Sequence, residues 1–89
     1  MKKTLTIAAL LFSVSNAYAG PECTKEDPST WMDKDKFQSK LKDKGYKINV
    51  FKITDGNCYE IYGWNKEGKK VEIYYHPVSG KVMKEEIED

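Results

Sequence analysis

The chain contains no arginine; all 15 of its basic residues are lysine. The planar guanidinium fork that grips a phosphate or carboxylate at two points is therefore missing from its chemistry. Histidine occurs once, as His76, and cysteine twice, as Cys23 and Cys58. That inventory cannot supply a four-ligand zinc set of cysteine and histidine. Also absent are a glycine-rich phosphate loop, a His-Glu-x-x-His helix, a Cys-x-x-Cys-His haem attachment and a Gly-x-Ser-x-Gly elbow. With these constellations gone the residues point away from an enzyme and call for no cofactor and no metal.

Long apolar runs are scarce too. The longest stretch, Leu5 to Val14, follows Met1-Lys2-Lys3 and precedes Ala17-Tyr18-Ala19. A basic start, a short apolar core and a small-x-small site read as a secretory signal peptide over residues 1–19, cleaved after Ala19. A membrane span needs roughly 20 apolar residues, and Ser13, Ser15 and Asn16 interrupt this one. Cys23 stands behind Gly-Pro-Glu rather than at the cleavage site, which disfavours a lipoprotein. The expectation is a periplasmic or secreted chain with no membrane insertion after cleavage.

What remains, Gly20 to Asp89, is 70 residues, near the lower limit for a self-sufficient core. It carries 13 lysines, Lys2 and Lys3 having left with the signal, against 14 acids. A near-neutral domain has no electrostatic footprint for nucleic acid. Two cysteines in an oxidising compartment make a Cys23–Cys58 disulfide the default reading. Closing a loop of about 36 residues stabilises a fold by roughly 3–4 kcal/mol in the chain-entropy model. The competing reading, a redox-active thiol, lacks a Cys-x-x-Cys pair.

Residues 20–30 hold Pro21, Pro28 and three acids and read as an irregular arm. Residues 33–44 are rich in helix formers, with Thr30 or Asp33 available as N-cap and Gly45 as terminator. The apolar stripe of that helix is thin: Phe37 and Leu41, with Trp31 or Met32 one turn earlier. From Tyr46 the period becomes two, with a phase slip that suggests a bulge near Val50-Phe51. Asp55-Gly56-Asn57 is a turn, Cys58 to Trp64 a second strand, Asn65 to Gly68 a turn, and Lys70 to Tyr75 a third strand. Pro77-Val78-Ser79-Gly80 leads into a short, lysine-flanked edge strand, Lys81 to Lys84. Glu85 to Asp89 reads as a frayed acidic tail.

One helix followed by a three- to four-stranded antiparallel meander is an α+β fold of two layers, here stapled by a disulfide. Alternation divides the sheet. Tyr59, Ile61 and Gly63 face the helix with Val71, Ile73 and Tyr75, and Tyr59, Ile61, Val71 and Ile73 form the core with Phe37 and Leu41. Glu60, Tyr62, Trp64, Glu72, Tyr74 and His76 share the other face with Cys58, and one helix cannot cover both. This second face is the candidate binding surface, since aromatic rings with polar handles are enriched at interfaces. The alternative is that the arm, drawn across by the disulfide, covers these rings as a second small core. His76, just before Pro77, reads either as a turn residue or as a site residue with Glu60 and Glu72 near it.

The assembled pattern resembles the PepSY domain family, in its short exported form with one disulfide. The resembling residues are Phe37 and Leu41 leading to Gly45-Tyr46, the Asp55-Gly56 turn and Tyr59-Glu60-Ile61. Gly68-Lys69-Lys70-Val71-Glu72-Ile73-Tyr74 and the closing Pro77-Val78-Ser79-Gly80-Lys81-Val82 complete them. Together these features span residues 31–84. Where the family usually has an aspartate before the closing turn, this chain has His76. The resemblance implies one helix packed on an antiparallel sheet and a role in binding or restraining another protein or peptide, a protease above all. The other function class is an accessory of a periplasmic or membrane redox system, in which the disulfide or a bound cofactor would act.

Overall fold

The structure, a computed structural model, describes residues 20–88, so the expected signal peptide and its cleavage site lie outside the described residues. Asp27 opens the first element: its carboxylate accepts from the Ser29 amide at 2.8 Å and caps a 3₁₀ turn at Pro28–Thr30. Helix α1, Lys34–Asp43, is capped by Asp33, whose carboxylate accepts from the Lys36 amide at 2.9 Å. Of the two candidate caps, Asp33 thus caps α1, and Thr30 belongs to the preceding 3₁₀ turn.

The far end of α1 closes on a paired set of backbone bonds. The Tyr46 amide reaches back to the Leu41 carbonyl at 3.0 Å and the Gly45 amide to that of Lys42 at 2.9 Å. Gly45 adopts φ +99°, which a side chain would strain. The same closure turns Tyr46 back against the core beside Leu41.

Four strands follow: β1 Lys47–Ile53, β2 Tyr59–Trp64, β3 Lys70–Tyr75 and β4 Val82–Glu88. They form one antiparallel sheet in the order β1-β2-β3-β4. The phase slip in the first strand is a real irregularity. Ile48 pairs with Gly63 and Val50 with Tyr62, leaving Asn49 as the extra residue, one position before the expected bulge.

The last strand corrects the sequence reading. β4 runs through Glu88 and pairs with β3 as far as Lys70↔Glu88, so Glu85 to Glu88 is sheet and not a frayed tail. Its seven residues are all exposed, so burial imposes no alternation there. Without alternation, a run of charges looked like a tail.

The main core lies between α1 and the sheet, where Phe37, Leu41, Tyr59, Ile61, Val71, Ile73 and Tyr75 are buried, as expected for the first six. Phe37 is its hub, with ring centroids 5.1 Å from Tyr59, 5.0 Å from Tyr75 and 6.3 Å from Phe51. Each such side chain contributes roughly 1.5–3 kcal/mol on full burial. That is how a helix of ten residues, too short to persist alone in water, is held in place. Trp31 and Met32 seal the near end: Trp31 meets Tyr59 edge-on at 5.8 Å, and the Met32 amide donates to the Pro77 carbonyl at 2.8 Å. The Tyr59 hydroxyl donates in turn to the Met32 carbonyl, so the hydroxyl at the rim of the core is satisfied.

Candidate functional site

The opposite face of the sheet divides into a covered half and an open half. The covered half begins at the disulfide. Cys23 and Cys58 are bonded, with Cα atoms 5.1 Å apart, and both are buried. The bond sets the arm across the β1–β2 turn. There the Cys23 amide donates to the Gly56 carbonyl at 2.9 Å and the Asn57 side-chain amide to the Thr24 carbonyl at 3.3 Å. Contact is close enough to demand glycine on both sides. A methyl on Gly56 would sit 2.3 Å from the Pro21 carbonyl oxygen, and one on Gly20 would sit 2.6 Å from the Tyr74 ring. Cys23, Cys58 and Tyr74 thereby form a second, smaller core.

Of the six residues expected on a binding face, Tyr74 is therefore packed under the arm and Glu60 is only 2% exposed. Neither offers itself to a partner. His76 is half-buried and engaged in the β3–β4 turn, where its Nδ1 accepts from the Val78 amide at 3.1 Å and the Ser79 amide at 3.4 Å. An aspartate before a turn accepts from these same two amides. The imidazole thus replaces the family's usual carboxylate as a turn acceptor. It is not drawn into a site with Glu60 and Glu72.

The open half consists of Tyr62, Trp64 and the outer side of Glu72. Tyr62 is exposed and Trp64 half-buried, and each has a β1 lysine above its ring. The Lys52 ammonium lies 5.4 Å from the Tyr62 centroid and that of Lys47 lies 6.0 Å from the Trp64 centroid. These rings floor a shallow trough of about 570 Å³ that crosses all four strands. Its walls carry both signs of charge: Lys52 and Lys70 on one hand, Glu72, Glu86 and Glu88 on the other.

Between the halves stands a carboxyl pair. Glu60 lies diagonally from Glu72 across β2 and β3, with Tyr74 and Tyr62 as their direct cross-strand neighbours. The Tyr74 hydroxyl donates to Glu72 Oε2 at 2.9 Å, while Glu60 Oε2 is buried with no donor to receive from. An oxygen in that position is satisfied by carrying the proton itself and donating it to the neighbouring carboxylate. Burial first, and then hydrogen bonding to Glu72, push the Glu60 carboxyl above the ordinary glutamate range. Hydrogen bonding from Glu60 holds Glu72 below that range, against the opposing effect of its burial. Raised at Glu60 and lowered at Glu72, the two shifts favour one proton and one negative charge across the pair. Hydrogen bonding to Glu72 and partial burial raise Tyr62, and burial with the bond to Glu72 raises Tyr74, so both phenols keep their protons.

Among the described residues no group of three or more His, Cys, Asp or Glu side chains is arranged to hold a metal ion. No helix among them is long and apolar enough to cross a membrane. The two sulfurs are bonded and buried, so an attacking thiolate has no approach to them in the folded chain.

A helix on one face of a disulfide-stapled antiparallel meander, with a PepSY-type closing turn, defines a small α+β module of the PepSY class. The chain belongs to the family described as peptidase propeptide and YPEB domain, whose model matches residues 2–86. Members of this family are generally propeptide or regulatory modules. No curated protein and no solved structure matches the chain.

Proposed function

We propose that this chain is an exported, non-enzymatic binding module that docks onto and restrains another protein, with a protease as the partner class. It acts in the periplasm, or outside the cell, after removal of residues 1–19. The carrying observation is the open half of the second face, where an exposed Tyr62 and a half-buried Trp64 lie on the sheet beneath flanking lysines. Rigid aromatic rings supply contact area at little entropic cost, and such anchors dominate binding energy at protein interfaces. Charges of both signs around them suit an extended peptide or loop of mixed charge. Family membership supports the restraint of a protease.

The test is to titrate the purified protein against proteases exported by the same cell and follow cleavage of a fluorogenic peptide. At micromolar protein the target protease slows, and Tyr62→Ala with Trp64→Ser weakens that effect by roughly thirtyfold or more, the loss of one interface anchor. If no protease changes rate, or if the double variant inhibits as well as the parent, the reading is wrong.

A further inference from the structure

The two edges of the sheet are not alike. β1 is interrupted by its bulge at Asn49 and two of its lysines fold inward over aromatic rings. Such features blunt an edge. β4 has a bulge of its own at Met83, but from Lys84 to Glu88 its pairing with β3 is regular, and among the described residues no strand pairs with its other side. It also carries exposed apolar residues, Met83 at 37% and Ile87 at 51% exposure.

We propose that β4 pairs antiparallel with β4 of a second copy of this chain, about a two-fold axis at Glu85, to make one eight-stranded sheet. The choice of occupant rests on the self-complementarity of the strand. An axis perpendicular to the sheet keeps both helices on one face and joins residues whose numbers add to an even total, because side chains alternate between faces. With the axis at Glu85, Lys84 meets the second copy's Glu86 and Glu86 meets its Lys84. On the helix side Met83 meets Ile87, again twice. Moving the axis to Lys84 sets lysine against lysine, and moving it to Glu86 sets glutamate against glutamate while both Met83 and Ile87 lose their apolar partner. The Glu85 register alone combines two opposite-charge pairs with two apolar pairs, at the cost of one Glu85–Glu85 contact. Lys84 already sits 3.5 Å from Glu86 of its own strand, so the four charges would form an alternating square.

This pairing shares only the Glu86 wall with the proposed binding trough and does not use the rings of Tyr62 and Trp64, so the two readings are told apart by mass on one hand and protease rate on the other. It is tested by sedimentation equilibrium of the purified protein from micromolar to millimolar concentration. The mass doubles across that range for the parent. Lys84→Glu opposes two glutamate pairs and weakens the dimer by roughly tenfold to a hundredfold. Lys84→Glu combined with Glu86→Lys restores it to within about threefold of the parent, because only this register sets position 84 opposite position 86. A third variant, Glu85→Cys, cross-links to a dimer on mild oxidation, residues on the axis being about 4.5–5.5 Å apart. Circular dichroism of each variant separates lost pairing from lost folding. A monomeric mass at every concentration overturns the proposal, and so does a charge swap that fails to restore the dimer while the variant remains folded.

Discussion

The two faces of this sheet are closed by different means. On the helix side, Phe37 and Leu41 press apolar side chains onto the core that includes Tyr59, Ile61, Ile73 and Tyr75, and burial is the main force that holds the layers together. On the other side there is no second helix, and a covalent bond does the equivalent work. Cys23–Cys58 brings an arm with almost no apolar content over Tyr74 and stops short of Tyr62 and Trp64. A face closed by packing is sealed along its length, whereas a face closed by a tether is covered only as far as the tether reaches. Surface for recognition is left where the arm ends.

The hardest break of this contrast is on the packed side. Phe37→Ala removes the hub of three aromatic contacts and costs about 3–5 kcal/mol, read as a fall in the denaturation midpoint. For a domain of this size that approaches the whole of its stability. Next comes the tether. Cys23→Ser with Cys58→Ser costs roughly 3 kcal/mol and frees the arm, so amides at residues 20–27 lose hydrogen-exchange protection first while those of β2 and β3 persist longer.

The carboxyl pair lies where the covered half of the second face gives way to the open half. Glu60 titrates above the ordinary glutamate range when folded, so its contribution is present at low pH and is lost as pH rises through its folded-state value. Glu72 titrates below that range, so its contribution is present above the ordinary glutamate value and is lost as pH falls through the lowered one. Stability therefore peaks in the window between them, where one proton is shared. Glu60→Gln keeps the donor without the charge, so the decline on the alkaline side of the window should disappear from a plot of melting temperature against pH. Glu60→Ala, which leaves a void and no donor, should lower stability at every pH.

Smaller effects are expected at the turn and on the open surface. His76→Ala loses an acceptor of two amides and costs about 1 kcal/mol, while His76→Asp supplies the same acceptor and is nearly neutral. Trp64→Ser and Tyr62→Ala cost roughly 0.5–1.5 kcal/mol each, through lost strand propensity and lost lysine–ring contact. Their larger consequence belongs to binding.

How far the sequence disclosed this arrangement follows from which forces leave a periodic trace. The helix was legible from Asp33 and Gly45 at its ends and from the i, i+4 pair Phe37 and Leu41. The central strands were legible because β2 and β3 must alternate to bury Tyr59, Ile61, Val71 and Ile73. The arm had no such signature: its path depends on one sulfur bridge and on Gly20 and Gly56 having no side chain. Composition therefore could not say which half of the second face it would cover. The second half of β4 was missed for a related reason, since an exposed edge strand imposes no burial pattern on Glu85 to Glu88. The spacing of Met83 and Ile87 around Glu85 was its only trace. His76 was legible as a turn residue from its place before Pro77, with a site role as the alternative, and the position of its Nδ1 between two turn amides decides for the turn.

Hydroxyl-radical footprinting read by mass spectrometry tests the split of the second face most directly, comparing the parent with the Cys23→Ser, Cys58→Ser variant. In the parent, Tyr62 and Trp64 are labelled rapidly and Tyr74 is protected; in the variant, Tyr74 becomes labelled while Tyr62 and Trp64 are unchanged. Equal labelling of all three rings in the parent, or protection of Tyr74 that survives loss of the disulfide, would contradict it.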